Sequence, residues 1–197
     1  MASRRIFDFI TSATGLLFLS PLLIVIALAV WISDGRPVLF LQTRIGRNGK
    51  PFRIVKFRTM RAEAEQEGFL TVGTDKRITR TGAFLRKYKL DELPQLWNVF
   101  LGEMSLVGPR PEVPDFVALY SEEQKKVLSV RPGITDPASL KFVNESEILA
   151  GYPDPEKAYR EIILPEKLKI TLEYMSKATV GSDIAILLQT IARLFGR

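Results

Sequence analysis

The sequence predicts an α+β fold, mainly helical, in which an N-terminal membrane-inserted helix precedes a compact domain carrying a small antiparallel β-hairpin. Three observations predict it. Residues 9–33 hold no charged side chain, residues 37–57 read as two extended runs around an Asn-Gly turn, and the later apolar residues recur mostly at helical spacing. At 197 residues and 46% hydrophobic content, the chain can bury one core and leave an anchor over. The expected division is residues 1–33 as anchor and 34–197 as the compact domain.

The apolar run is long enough for a bilayer, which about 20 such residues can cross. A cleaved signal peptide is a poor reading, because the small-residue stretch Ala27-Leu28-Ala29 lies inside the run rather than after it. Two readings remain: a helix that spans, and a re-entrant hairpin that turns back. Pro21 cannot donate to the carbonyl of Leu17, so a bend is expected at Ser20-Pro21, with the Ser20 hydroxyl available to a freed backbone group. Arg4 and Arg5 precede the run, and Arg36, Arg44, Arg47, Lys50 and Arg53 follow it. Both flanks therefore carry the cationic signal of the cytoplasmic face, which a hairpin satisfies and a straight span does not.

In the soluble part, Val38-Leu39-Phe40-Leu41 and the run from Phe52 to Arg58 flank Asn48-Gly49 as hairpin strands. Alternation puts Lys56 and Arg58 on one face, a face that is most often merely solvated. Residues 62–68 are acidic and aperiodic, which predicts a surface helix or loop. Apolar residues from Phe84 to Leu101 follow a helical period interrupted near Leu90 to Pro94, so a new helix is expected at Asp91-Glu92, with Asp91 near its N-cap and Gly102 at its end. Arg110 lies between two prolines on a stiff loop. Helical patterns resume over residues 116–130, 165–176 and 182–195. The last carries Ile184, Leu187, Leu188, Ile191, Leu194 and Phe195 along one stripe, suited to core packing or to lying on a bilayer.

Composition narrows the chemistry. The chain has no cysteine and no histidine, so covalent or acid/base work falls to carboxylates, lysines, hydroxyls or an oxygen-bound metal. A net charge of +6 favours an anionic partner: nucleic acid, anionic lipid or a phosphorylated substrate. Nucleic acid fits poorly, because aromatic residues are not interleaved with basic ones in any recognisable module.

An aspartate at a helix start is most often a cap, and a glutamate beside it most often complements the helix dipole. The surroundings of Asp91-Glu92 give the pair a second meaning. Arg86, Lys87 and Lys89 stand just upstream and Arg110 downstream, a set that suits an anionic phosphate bound by Arg86 and Arg110. A magnesium ion on Glu92 and a nucleophilic Asp91 would complete the site, since magnesium takes one or two carboxylates together with substrate phosphates.

The motifs Ser20-Pro21, Gln42-x-Arg44-x-Gly46, Gly49-Lys50-Pro51-Phe52, Lys56-Phe57-Arg58-Thr59-Met60 and Arg77-Ile78-Thr79 continue through Phe84-Leu85-Arg86-Lys87 and Leu90-Asp91-Glu92-Leu93-Pro94-Gln95. With Met104-Ser105-Leu106-Val107-Gly108-Pro109-Arg110-Pro111 and Pro132-Gly133-Ile134-Thr135, this order resembles the bacterial sugar transferase family, the monotopic phosphoglycosyl transferases. The resemblance is dense over residues 4–135. It implies transfer of a sugar 1-phosphate from a UDP-sugar to polyprenol phosphate at the cytoplasmic face of a bacterial inner membrane, with loss of UMP, as the first membrane step of polysaccharide or glycoconjugate assembly.

It further implies that Asp91 carries a covalent phosphosugar, that Glu92 is associated with Mg2+, that Lys56, Arg58, Arg86 and Arg110 bind or support substrate phosphate, and that the membrane helix is re-entrant, breaking at Ser20-Pro21. Anionic lipid at the cationic flanks is a further expected partner. A variant has Asp91 as general base in a direct transfer, and a rival from another class is a membrane-anchored binding or scaffolding protein.

Two departures stand out. Many relatives follow Pro-Gly-Ile-Thr with Gly and a Trp-Ala-Gln-like run, where this chain has Asp136-Pro137-Ala138-Ser139-Leu140. Many also have an aspartate three residues before a tyrosine, where Thr171 precedes Tyr174 here. Asp183 fits the later family pattern and is left out of the site.

Overall fold

The computed structural model describes residues 2–61, 64 and 68–195. The acidic surface segment expected over 62–68 therefore lies largely outside the described residues. Helix α1 runs from Ala2 to Asp34 without interruption through Pro21. Pro21 lies inside this helix and does not end it. The local reason is visible: Ser20 Oγ donates to the Leu17 carbonyl at 2.7 Å, the same carbonyl that Pro21 cannot serve. By length and composition α1 is apolar enough to cross a membrane, and Leu17, Phe18, Ile24 and Val25 at its centre are exposed.

Both ends of α1 are fastened to the rest of the chain. Near its start, Arg4 pairs with Asp183 at 2.9 Å, Arg5 donates to the carbonyls of Val99 and Phe100, and Asp8 accepts from Ser105 Oγ and the Leu106 amide. At its finish, Asp34 accepts from Thr79 Oγ1 at 2.8 Å, while Arg58 donates to the carbonyls of Asp34 and Gly35. Between them, Ile26 and Val30 bury against Phe57 and Leu85.

Strands β1 (Leu39–Ile45) and β2 (Pro51–Phe57) pair antiparallel with Leu39 opposite Phe57 and Ile45 opposite Pro51. Asn48 at φ 58° and Gly49 at φ 74° make the reversal, as the Asn-Gly signal requires. Phe52 and Ile54 enter a core with Val99, Met104, Leu106 and Ile186. The open edge of β2 is closed by one side chain: Asn98 accepts from the Val55 amide at 3.0 Å and donates to the Arg53 carbonyl at 2.8 Å.

Helix α2 (Arg80–Lys87) is capped by Thr79, which accepts from the Gly82 amide. A Cβ on Gly82 would lie 2.0 Å from the Thr59 carbonyl oxygen, so only glycine lets α2 sit against the end of β2. Lys89 then takes a left-handed conformation, a 3-10 turn holds Leu90–Glu92, and α3 (Gln95–Leu101) ends at Gly102 with φ 86°. Pro94, not Asp91, stands at the N-cap of α3. Strand β3 (Ser105–Val107) pairs parallel with β4 (Gly133–Thr135), an element with no sequence signal at three residues per strand.

Residues 116–130 do not form the expected helix. Helix α4 (Pro114–Val117) stops early, because Ser121 and Gln124 exchange reciprocal side-chain to backbone bonds that start a separate turn. Asp136 accepts from the Ser139 amide to cap α5 (Pro137–Lys141); α6 (Glu145–Ala150) and α7 (Pro155–Ala158) follow. Helix α8 (Leu164–Lys177) packs Leu164 and Leu168 with Val113, Phe116, Tyr120, Leu149 and Tyr159 in a second core. Helix α9 (Val180–Phe195) buries Asp183 and Ile186 and packs Leu187 against the first core, but exposes Ile184, Leu188 and Ile191, so these three of the predicted apolar stripe are not core.

Candidate active site

The left-handed Lys89 and the tight turn after it bring two adjacent carboxylates inward together. Asp91 is 7% exposed and Glu92 8%. Glu92 Oε1 accepts from Lys56 Nζ and from Arg110 Nη2, each at 2.9 Å. Lys56 comes from β2, and Arg110 from the loop after β3, where the Pro109 carbonyl is held by the Gly133 amide at 2.8 Å. That loop is close packed: a Cβ on Gly133 would lie 2.1 Å from the Gly108 nitrogen. The sequence expectation that the Lys56 face is merely solvated is thus corrected, since Lys56 and Arg58 are both largely buried and engaged.

Asp91 has the opposite environment. Its Oδ1 is buried and has no hydrogen-bond partner among the described residues, so it does not act as a helix cap. Burial and then the charge of Glu92 push the Asp91 carboxyl above the usual carboxylate range, against the pull of Lys56, Lys89 and Arg86. For Glu92, burial opposes ionisation, yet Arg110, Lys56 and Lys89 outweigh it and hold the carboxyl well below the usual range. Two neighbouring acids are thereby made unequal: one is a fixed anion in an ion-pair network, and the other is an uncommitted oxygen.

Both acids line an open cleft of about 940 Å3, together with Lys56, Arg58, Arg86 and Arg110. Arg86 donates to Thr59 Oγ1 at 2.8 Å and to Thr71 Oγ1 at 3.1 Å, bonds that orient the guanidinium without neutralising it. Burial lowers its pKa while Asp91 acts to raise it. Arg58 lines the cleft too, but its Nη2 is committed to the end of α1, leaving Nε without a partner. Of the six residues expected at the site, the structure joins Lys56, Glu92 and Arg110 directly, sets Asp91 beside them, and brings Arg86 and Arg58 to the same cleft through other partners.

Sequence reasoning passed over several residues that shape this cleft. Arg77 grips Asp75 and donates to the carbonyls of Gly68 and Leu70, ordering the loop that carries Thr71. Glu112 pairs with Arg44 at 3.5 Å and accepts from Tyr159 at 2.7 Å; Lys167 donates to Glu145 at 2.6 Å. Arg77 and Arg44 belong to quoted motifs and were within reach; Lys167 sits in an ordinary amphipathic helix and had no signal. Asp183, left out of the site, is a fastener for α1 through Arg4 and also accepts from Tyr174 at 2.5 Å.

No group of three or more metal-ligating side chains occurs among the described residues. Magnesium does not require one, because it takes one or two carboxylates with substrate phosphates and water. The donor set fits such a shared ion: both cations sit on Oε1 of Glu92, and Asp91 Oδ1 is uncommitted.

A buried acid pair in a cationic cleft, on a domain fastened to a helix long and apolar enough to cross a membrane, is the class of arrangement this fold presents. The chain belongs to the bacterial sugar transferase family, whose profile matches residues 1–197. An uncharacterized sugar transferase of Bacillus subtilis (strain 168), EpsL, is 45% identical over 145 residues, 73% of this chain and 71% of its own. The exopolysaccharide production protein PSS of Rhizobium leguminosarum bv. phaseoli is 44% identical over 197 residues, 95% of this chain and 92% of that one. The UDP-glucose:undecaprenyl-phosphate glucose-1-phosphate transferase of Escherichia coli (strain K12) is 36% identical over 202 residues, 98% of this chain but 40% of that protein's length.

Proposed function

We propose that this chain transfers a sugar 1-phosphate from a UDP-sugar to polyprenol phosphate, through a covalent intermediate on Asp91. The observation that carries the reading is the unpartnered Asp91 Oδ1 beside a Glu92 held by Lys56 and Arg110. The activity named for the Escherichia coli relative, with undecaprenyl phosphate as acceptor, supports the same reaction class here.

In the first step an Asp91 oxygen attacks the phosphorus that bears the sugar. An Asp91 O–P bond forms, the bond from that phosphorus to the bridging oxygen breaks, and UMP leaves with the electron pair. In the second step a phosphate oxygen of the polyprenol phosphate attacks the same phosphorus. The Asp91 carboxylate is released and a polyprenol diphosphate sugar is formed. Arg86 and Arg110 face the phosphoryl charge, and Lys56 keeps Glu92 fixed. Asp91 and Glu92 are the residues that would hold Mg2+, which when bound supplies positive charge against phosphoryl oxygens. Arg58 is retained as a supporting residue whose main contact anchors α1.

The acceptor's isoprenoid tail keeps its phosphate at headgroup level, so the cleft must stand at the bilayer boundary. Fastening of both α1 ends to one domain supports an α1 that enters and leaves by the cytoplasmic face, with its exposed centre in lipid. Arg4, Arg5 and Arg36 would then meet anionic headgroups. The exposed Ile184, Leu188 and Ile191 of α9 support the bilayer-facing alternative for that helix.

The test is incubation with a UDP-sugar and Mg2+ but no lipid acceptor. UMP release with a phosphosugar-protein adduct, both lost in Asp91→Asn, is expected. Turnover with both substrates but no adduct would replace the covalent route by direct transfer with Asp91 as base. Salt-sensitive binding of lipid that is indifferent to Asp91→Asn, with no turnover, would favour the scaffolding alternative.

A further inference from the structure

The cleft continues beyond the phosphate-facing cations to a wall of different character. Phe142, Glu145, Ser146, Glu147 and Lys167 line it, and Phe69 comes from the loop of residues 68–77. Glu145 is held by Lys167 Nζ at 2.6 Å. The Glu147 carboxylate is exposed and makes no ion pair among the described residues. The Ser139 Oγ and Arg44 Nε atoms, on residues lining the same cleft, are buried without hydrogen-bond partners.

This wall is tied to the phosphate end by a few residues of chain. Thr71 accepts from Arg86, and two residues later the Gly73 amide donates to the Ser146 carbonyl at 3.0 Å while Ser146 Oγ returns a bond to the Gly73 carbonyl. The start of α6 is therefore tied to the loop that holds Arg86 and lines the same cleft, with Glu145 near enough to act on the Arg110 charge.

Charge decides what the wall can take. Glu145 is offset by Lys167, but the Glu147 carboxylate has no ion pair among the described residues and repels a second phosphate, so the wall disfavours UMP. A neutral polyol suits it, since ionised carboxylates accept hydroxyl hydrogens, a lysine donates to hydroxyl oxygens, and aromatic faces take the apolar side of a ring. We propose that Glu147 and Glu145, with Lys167 behind and Phe142 beside them, read the hydroxyl pattern of the donor's sugar and set which UDP-sugar is used. The proposal rests on the transferase reading above and adds the residues that choose among donors.

The experiment compares the wild-type chain with Glu147→Gln and Glu145→Gln across UDP-glucose, UDP-galactose, UDP-N-acetylglucosamine and UDP-N-acetylgalactosamine. UMP release gives kcat/KM for each donor, and titration calorimetry gives the affinity for UDP alone. Each variant is expected to change the ratio between the best and second donor by about tenfold or more, the scale of one charged hydrogen bond, with UDP affinity unchanged. Equal loss for every donor, or UDP weakened as much as the UDP-sugars, overturns the proposal while leaving the transferase reading intact. Absence of UMP release by wild-type protein from all four overturns both. Glu145→Gln also loosens Lys167, so a misfolded Glu145 variant leaves the decision to Glu147→Gln, whose side chain has no ion pair to lose.

Discussion

Thr171 Oγ1 donates to Asp136 Oδ2 at 2.8 Å, so the turn before α5 and the middle of α8 meet in one buried hydrogen bond. Asp136 also caps α5 through the Ser139 amide, so the bond fixes the helix that presents Ser139 to the cleft. Thr171→Val keeps the shape and removes a donor to a buried carboxylate. The expected cost is about 1–3 kcal/mol of stability, read as a lower melting temperature in detergent, whereas a hydroxyl-retaining Thr171→Ser should recover most of it.

Asp91→Asn should abolish UMP release while raising thermal stability. The sign follows from the raised Asp91 pKa: between its ordinary and folded values the native state binds more protons than the unfolded chain, so stability falls as pH rises through that window. Above that window the ionised Asp91 is therefore a net cost, and a neutral amide removes it. A melting scan at pH 7 that places Asp91→Asn below the wild type would contradict this.

The same shift sets the pH dependence of the first step. An attacking carboxylate must be ionised, so single-turnover UMP release should rise with pH along one acid limb whose midpoint lies above the usual carboxylate value near ~4. Glu92, held well below its ordinary range, contributes no second limb in that region.

Arg110→Met should lower kcat by about 100-fold, the scale of one preorganised charge lost from a phosphoryl site. It should also introduce a new acid limb, because Glu92 loses the cation that most favours its ionised form. Arg110→Lys restores charge but not the guanidinium geometry, and partial recovery is expected.

The native chain has no cysteine, so single labels are clean topology probes. Ser3→Cys and Arg36→Cys should both resist a membrane-impermeant thiol reagent applied outside sealed cells, and both should react after permeabilisation. Labelling of one alone from outside would mean that α1 delivers its ends to opposite sides.

Local chemistry made part of this structure legible. Asn48-Gly49 marked the β1–β2 reversal, Gly102 the end of α3, and the apolar periods of α8 and α9 their approximate extents. Asp91 misled as a cap because capping depends on where the backbone leaves the turn, and the left-handed Lys89 moves that point to Pro94. The burial of Lys56 was invisible because a strand's alternation states which side chains share a face, not what covers it. Here the cover is Glu92, 36 residues later. The β3–β4 pair needs only three residues from each strand and a close glycine contact, too short for any period to register.

Helix α3 follows the acid pair directly, and its terminal carbonyls at Val99 and Phe100 rest on Arg5 of α1. Its seven residues span only about 10 Å. Under the membrane reading they act as a ruler between the anchor and the reactive oxygen, so the thickness of the host bilayer becomes a variable of turnover. Acyl chains too short or too long for α1 would lift or sink Asp91 relative to the proposed acceptor's headgroup.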